Sequence, residues 1–402
     1  MKGIKKWLCT TAILGGLSVH LTGNIAPLEK QECMETAVCT ANIQEENCLK
    51  TQAKSAYLMD FATQTVMYSH NETKRLPIAS MCKIMTLLLA FDAVDAGILD
   101  MEEEICVSER AASMGGSQVF LEANAKYAVK QLIKSIVVCS ANDSCVALAE
   151  RICGNESLFV DRMNEKAKEI GAENTLFANC TGLPKEPQYS CAKDVAIMLK
   201  NLLYHQEYYE FGKVWMDKFN HPEGRYTEIT NTNKLVRFYD GCDGGKTGFT
   251  NEAGFCLAAT AKRNNMRVIS VVIGEENSKT RFNDVRTMFD YAFANYSALP
   301  IVEANVALEE TATVSGGKTK CLSIYPERSS YTLVKRGETS NTKVEITIDK
   351  LKAPIEKGEA VGEIVIYNNG IEVDRLKAIA SEGVERANFF DRLHEIAEEW
   401  NG

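Results

Sequence analysis

Phe255-Cys-Leu-Ala-Ala-Thr-Ala-Lys-Arg-Asn-Asn-Met-Arg-Val-Ile-Ser-Val-Val-Ile273 is the stretch whose reading decides the fold. Its two apolar runs, Phe255–Lys262 and Met266–Ile273, have the composition of strands. They are separated by Asn264-Asn265, a turn signal suited to a tight hairpin because Asn tolerates positive φ. Downstream, Asp284–Tyr296 reads as a closing helix. Far upstream, Ser55–Met59 and Thr65–Tyr68 read as two more strands, joined by the turn Asp60-Phe-Ala-Thr63. The chain between these ends is helical. Pro77 precedes the apolar run Ile84–Phe91, which continues to Gly97, giving a helix with Pro before its start and Gly at its exit. Ala128–Cys153 is helical with an interruption near Ser140–Asn142, Leu158–Gly171 is an amphipathic helix, and Ala192–Tyr204 is another. Strands at both ends with helices between them predict an α+β domain whose first and last segments share one antiparallel sheet.

After Pro300 the pattern changes to short alternating segments such as Lys343–Ile348 and Glu363–Tyr367, separated by Gly, Pro and Asn turns, which predicts a small all-β domain. Residues 384–400 return to helical period, with Phe389, Phe390, Leu393, Ile396, Ala397 and Trp400 on one stripe. The expected organisation is a signal segment at 1–26, a linker at 27–53, the α+β domain at 54–298, the β-rich domain at 299–380 and an amphipathic helix at 381–402.

The chain has 402 residues, is 45% hydrophobic and 25% charged, and carries a formal charge of −9. That composition excludes a disordered, collagenous or polytopic membrane protein. No Lys/Arg cluster offers the basic footprint of a nucleic-acid binder. Lys2, Lys5 and Lys6 precede the uncharged stretch Trp7–Leu21, the pattern of an export signal, with cleavage somewhere between residues 20 and 41. The fourteen cysteines leave two readings open. An exported chain invites disulfides. Cys106, Cys139, Cys145, Cys153, Cys180 and Cys256, however, sit in apolar runs, where a free thiol behaves as a small hydrophobe. Cys33, Cys39 and Cys48 lie in the polar leader and could pair.

Three short motifs carry chemistry. In Ser80-Met-Cys-Lys83 the serine and lysine are three apart, one helical turn, on the same face. A serine at a helix N-terminus feels the positive end of the dipole, and a lysine kept neutral by burial can take its proton. Alone the pattern is weak: it recurs at Ser190, Ser315 and Ser340, and its ordinary meaning is a cap or a solvated pair. The second motif, Ser140-Ala-Asn142, puts polar groups inside an apolar helical region, which costs free energy unless they are partnered. It is either a core polar cluster or a turn facing a cleft. The third, Lys246-Thr247-Gly248, precedes the Phe255 strand and can present a cation and a hydroxyl to an anion, with Gly248 leaving room for a ligand against the backbone.

Order makes the set specific. Only Ser80 is followed by the Ser-x-Asn and then the Lys-Thr-Gly element, the ordered set of class A β-lactamases and penicillin-binding proteins. The sequence resembles the low-molecular-mass penicillin-binding proteins that act as serine-type D-Ala-D-Ala carboxypeptidases, over roughly residues 50–378. Leu76–Thr86, Ser140–Ala149, Asn179-Cys-Thr-Gly-Leu-Pro184, Asp243–Gly254 and Lys357–Gly362 all look like that family. The resemblance implies a β-lactamase/transpeptidase-like domain in which Ser80 is the acylated nucleophile, Lys83 its general base and Ser140 a proton shuttle. It further implies that Asn142 binds the substrate's acyl side. Lys246, Thr247 and Arg281 would receive the terminal carboxylate, and the N–H groups of Ser80 and Phe249 would form the oxyanion hole.

The implied substrates are peptidoglycan pentapeptide stems, with β-lactams as covalent inhibitors, no cofactor, no metal and no nucleic-acid partner. The implied location is the cell envelope, at the outer face of the cytoplasmic membrane or beyond it, with peripheral membrane contact through residues 384–400. The sequence departs from the family at Cys82 and Cys191, where Thr is common, and at Phe249-Thr-Asn251, where His-Thr-Asp is common. Rival readings are a DD-endopeptidase, a β-lactamase, for which no convincing deacylating Glu-x-x-Leu-Asn is found, and a catalytically silent wall-binding module.

Overall fold

The computed structural model describes residues 49–304, 306–338, 341–368 and 370–391. The signal segment, most of the linker, and Cys9, Cys33, Cys39 and Cys48 lie outside them. In chain order the first domain contains β1 (Ser55–Asp60), β2 (Val66–His70), α1 (Lys83–Asp95), β3 (Glu104–Cys106), α2 (Glu109–Ala112), β4 (Lys126–Ala128), α3 (Val129–Cys139), α4 (Asn142–Cys153), α5 (Glu156–Glu169), α6 (Ala192–Leu202), α7 (Tyr208–Gly212), β5 (Met216–Asn220), β6 (Tyr226–Thr230), α8 (Leu235–Phe238), β7 (Cys242–Thr250), β8 (Gly254–Arg263), β9 (Met266–Glu275) and α9 (Ser278–Asn295).

The main sheet has the order β2-β1-β9-β8-β7, so the first and last strands of the domain do share it. Every neighbouring pair is antiparallel. The β8–β9 hairpin turns at the expected place: Arg263 faces Met266, and Asn264 takes φ +53°. Both strands are buried on both faces, which explains their near-continuous apolar sequence. Cys256, Ala258, Ile269, Val271 and Ile273 face the helical side, while Leu257, Ala259, Ala261, Val268 and Val272 face α9. The helix α9 answers with Val285, Met288, Phe289 and Ala292 at helical spacing. On the other face α1 is buried from Lys83 to Phe91, so it is a central helix rather than an amphipathic one.

Several expectations need correction. The last residues of the predicted linker are part of the domain: Leu49 and Ala53 are buried in the layer between the sheet and α9. The backbone N–H of Gln52 donates to Asp284 Oδ2 at 2.7 Å. All ten described cysteines are free. Cys106, placed by its sequence in an apolar run, is exposed, because on the short strand β3 only the middle residue Ile105 points inward. Cys191 stands at the N-cap of α6 without a side-chain bond to the helix. Asp194, buried, accepts from Asn174 N at 2.6 Å and Thr175 Oγ1 at 2.8 Å.

The second domain holds β10 (Tyr296–Val302), β11 (Thr311–Ser315), β12 (Cys321–Pro326), β13 (Ser330–Lys335), β14 (Thr342–Ile348), β15 (Leu351–Lys352), β16 (Ala360–Asn368) and β17 (Ile371–Ala380). A six-stranded sheet runs β14-β16-β17-β12-β11-β15, and β10 pairs with β13. The helix expected over 384–400 begins later. Val384 bridges Ile355 and Arg386 bridges Gly317 in extended backbone, because Val384 is needed in the β-domain core. Asn388 caps the helical turn that starts at Phe389. Its Oδ1 accepts from Phe390 N at 2.8 Å and Asp391 N at 3.0 Å, and Asp391 Oδ2 accepts from Asn388 N at 2.8 Å, a reciprocal cap. The rest of the stripe, from residue 392, lies outside the described residues. Among the described residues no helix is long and apolar enough to cross a membrane.

Candidate active site

Ser80 sits in a single 3-10 turn, Ala79–Cys82, that leads into α1. Entry to the turn is strained: Ala79 is buried and has φ +48°, a left-handed conformation that alanine adopts only when its surroundings impose it. Two glycines supply those surroundings. A Cβ on Gly182 would lie 2.0 Å from the Ala79 carbonyl oxygen, and one on Gly248 would lie 2.6 Å from the Ile78 carbonyl oxygen and 3.3 Å from Ser80 N. The third motif is thus glycine-ended because the Ser80 turn packs on it, and the same approach sets Ser80 N beside the Gly248–Phe249 peptide.

Lys83 Nζ lies 3.0 Å from Ser80 Oγ and also donates to the Thr181 carbonyl. Its side chain is fully buried, and loss of hydration holds its pKa below the usual lysine value. The Asn179–Gly182 segment wraps this pair. Cys82 Sγ donates to the Asn179 carbonyl at 3.2 Å and Thr86 Oγ1 to the Cys180 carbonyl at 2.7 Å. Asn179 Oδ1 folds the segment by accepting from Thr181 N at 3.1 Å and Gly182 N at 2.7 Å. Sequence reading gave Thr181 and Gly182 no chemical part. The available signal was Asn followed three residues later by Gly, an Asx-turn pattern.

Ser140 breaks the helical stretch where expected. It ends α3 with φ +67° and ψ 33°, and α4 begins two residues later. Its Oγ is buried with no partner, as is Asn142 Oδ1. Asn142 Nδ2 donates to Gly115 O at 2.7 Å, and Asn142 N to Ser117 O at 2.7 Å. Orphaned buried polar atoms cost roughly 1–3 kcal/mol each, so this turn is not a fully satisfied core cluster.

Lys246 lies on β7, the edge strand, buried. Burial and then the charge of Lys83 push its pKa down to about 7, which places the two amines in one electrostatic unit. Thr247 Oγ1 donates to Thr232 Oγ1 at 2.8 Å, and Thr232 N donates to Val138 O at 3.0 Å, tying β7 to the end of α3 beside Ser140. The Phe249 ring is 51% exposed and lies against Phe255 with ring centroids 4.3 Å apart. Arg281, on α9, is buried, and burial lowers its pKa to about 10. Its Nη1 donates to Gly248 O at 3.3 Å and Cys256 O at 3.2 Å, while Nε has no partner. The guanidinium therefore braces the end of the Lys-Thr-Gly strand. Among the described residues the other Ser-x-x-Lys serines lie elsewhere: Ser190 Oγ bonds Thr175 Oγ1 at 2.8 Å and Ser315 is on β11, while Ser340 lies outside the described residues.

A serine touching a buried amine, two orphaned polar atoms, a second buried amine and a strand peptide beside the serine N–H form a set suited to acyl transfer. The D-alanyl-D-alanine carboxypeptidase family model matches residues 40–277, and the C-terminal domain model of penicillin-binding protein 5 matches residues 296–386. The chain belongs to the D-alanyl-D-alanine carboxypeptidase family. Within it, the chain is similar to the D-alanyl-D-alanine carboxypeptidase DacF of Bacillus subtilis (strain 168), with 41% identity over 354 residues, 88% of this chain and 91% of that one. A D-alanyl-D-alanine endopeptidase of Escherichia coli is 32% identical over 64% of this chain and 81% of its own. Among solved structures, penicillin-binding protein 5 from Haemophilus influenzae matches with TM-score 0.65 and 28% identity, over 84% of this chain and 98% of that one. A peptidoglycan synthesis regulatory factor (PBP3) from Streptococcus pneumoniae matches with TM-score 0.70 and 26% identity, over 83% and 100%. The fold is therefore the transpeptidase/β-lactamase-like one with an appended β domain, and the activity is that of a serine-type D-Ala-D-Ala carboxypeptidase.

Proposed function

We propose that Ser80 attacks the carbonyl of the penultimate D-Ala of a peptidoglycan stem, that Lys83 takes the serine proton, and that water then hydrolyses the acyl-enzyme. The observation that carries this reading is the 3.0 Å contact between Lys83 Nζ and Ser80 Oγ in a fully buried lysine. Ser140, whose hydroxyl is unpartnered, passes the proton to the leaving D-Ala, and Asn142 binds the acyl side. Ser80 N and Phe249 N receive the developing oxyanion. Lys246, Thr247 and Arg281 hold the terminal carboxylate, and Gly248 lets substrate and nucleophile turn approach β7. β-Lactams acylate the same serine.

The carboxypeptidase reading makes the free carboxylate essential. Arg281→Ala should cost about 1.5–3 kcal/mol in kcat/KM on a stem peptide ending in a free carboxylate, the range for a hydrogen bond to a charged group. On the C-terminally amidated peptide most of that penalty should vanish. An equal penalty on both peptides refutes the assignment.

The pH dependence follows from the lysines. A protonated Lys83 cannot act as base, and burial holds its pKa below the usual lysine value. Acylation by penicillin should therefore rise with pH below the range in which an ordinary lysine loses its proton. A rise centred near ~10.4, the ordinary lysine value, would contradict it.

Export to the cell envelope, with peripheral membrane attachment through residues 384–400, completes the reading. Its support is Phe389 and Phe390, 72% and 76% exposed in the helical turn that starts at Phe389. Vesicle co-sedimentation of the full chain and of its Phe389→Ser/Phe390→Ser variant tests it. Attachment requires the full chain to pellet and the variant to stay in the supernatant.

A further inference from the structure

Asp143 follows the Ser-x-Asn motif directly, and nothing in the mechanism above uses it. It is fully buried. Its carboxylate accepts backbone N–H groups from across the cleft rim: Val119 N at 3.1 Å and Leu121 N at 3.1 Å on Oδ2, with Val119 N also 3.3 Å from Oδ1. Ser144 N donates to Oδ1 at 2.9 Å. The two loop residues it grips flank Phe120, which has φ +63° and a ring 56% exposed. A phenylalanine in left-handed backbone with its ring in solvent gains nothing locally from that conformation, so the bonds on either side sustain the strain. The gripped loop is the one that supplies Gly115 O to Asn142 Nδ2 and Ser117 O to Asn142 N, each at 2.7 Å. Gly116, between them, lies so close that a Cβ there would be 2.9 Å from Asn142 Nδ2.

Asn142 is therefore aimed by a loop, and the loop is held by the next residue in the chain. We infer that Asp143 is a positioning residue for acylation: by clamping Val119 and Leu121 it fixes the 115–121 loop, whose carbonyls orient the Asn142 amide toward the acyl side of the substrate. A buried carboxylate taking several N–H bonds is a stiff anchor, because charge-assisted hydrogen bonds are roughly twice as strong as neutral ones. Without it the loop relaxes toward ordinary backbone at Phe120, Gly115 O withdraws, and the Asn142 amide loses its fixed direction.

The inference rests on the assignment of Asn142 to the acyl side, and the test separates the two. Acylation rates are measured with benzylpenicillin, which carries an acylamino side chain, and with 6-aminopenicillanic acid, which lacks it. The proteins are the wild type, Asn142→Ala, Asp143→Ala, Asp143→Asn and the double variant Asn142→Ala/Asp143→Ala, with thermal melting of each. Asn142→Ala should slow benzylpenicillin acylation about tenfold, the equivalent of roughly one hydrogen bond, and change 6-aminopenicillanic acid little. Asp143→Ala should reproduce that selective loss, and the double variant should be no slower than either single one, since both remove the same interaction. Asp143→Asn, which keeps an acceptor oxygen for the loop, should recover part of the selectivity and guards against a fold too weak to assay.

A loss in Asp143→Ala and Asp143→Asn that is equal for both penicillins overturns the inference and leaves Asp143 as a stability residue. So does an additive double variant. If Asn142→Ala itself shows no selectivity, the acyl-side assignment fails first and the inference with it.

Discussion

Ser80→Ala should abolish D-Ala release and covalent penicillin labelling together. The expected loss is at least about 10⁴-fold, the scale on which acyl-transfer enzymes fall when their nucleophile is removed while the oxyanion site remains. The structure gives a reason to expect a folded variant. Among the described residues the Ser80 hydroxyl bonds only Lys83 Nζ, and Lys83 keeps its second acceptor, the Thr181 carbonyl. Alanine also fits wherever serine does. Melting within about 1 kcal/mol of wild type is therefore expected, since a single partly exposed hydrogen bond is lost. Labelling with a fluorescent penicillin, followed by denaturing electrophoresis, reads the bond directly. Stoichiometric labelling of the alanine variant would assign the nucleophile elsewhere. Retained D-Ala release without labelling would point to direct water attack and would remove the acyl-enzyme from the mechanism.

What the sequence disclosed and what it hid divide along a physical line. Periodicity and turn chemistry act locally, so the Asn264-Asn265 hairpin, the break at Ser140 and the strand character of β8 and β9 could all be read directly. Motif order singled out Ser80, Lys83, Ser140, Asn142 and Lys246 without any knowledge of distances. What stayed hidden depends on residues far apart in the chain. Alanine carries no signal for left-handed backbone, and Ala79 adopts it only because Gly182 and Gly248 pack beneath it. Asp143 carried no signal in the sequence, since the loop residues it grips, Val119 and Leu121, lie more than twenty residues upstream. Leu49 looked like linker because its neighbours are polar, yet one buried side chain suffices to draw a segment into the core. At 384–388 a helical stripe and a strand-like bridge compete, and the demand of the β-domain core for Val384 decides between them.

Gly182→Ala should slow the enzyme severely, although Gly182 bears no side chain and no charge. The added Cβ would sit 2.0 Å from the Ala79 carbonyl oxygen, 2.5 Å from its carbon and 3.0 Å from Ser80 N. All three are backbone atoms, so no rotamer change relieves the clash. Either the Ser80 turn or the Thr181–Gly182 segment has to move. Both hold the catalytic pair, since Ser80 Oγ and the Thr181 carbonyl are the two partners of Lys83 Nζ. A displacement of about 1 Å in a reacting group can cost on the order of 10²-fold in rate, and that is the expected fall in penicillin acylation per folded molecule. Stability should drop as well, by roughly 1–3 kcal/mol, from overpacking and from a non-glycine residue forced to positive φ. Those contributions can be separated with Gly154→Ala. Gly154 has φ +83°, close to the +79° of Gly182, but a Cβ there meets nothing within 4 Å. Its alanine variant should lose about 1 kcal/mol from backbone strain and acylate at the wild-type rate. Thermal melting and the rate of fluorescent-penicillin labelling, measured on both variants, give the comparison. If Gly182→Ala melts low but labels as fast as Gly154→Ala, the close approach to Ala79 supports the fold without setting the nucleophile, and the strain at Ala79 has no part in catalysis.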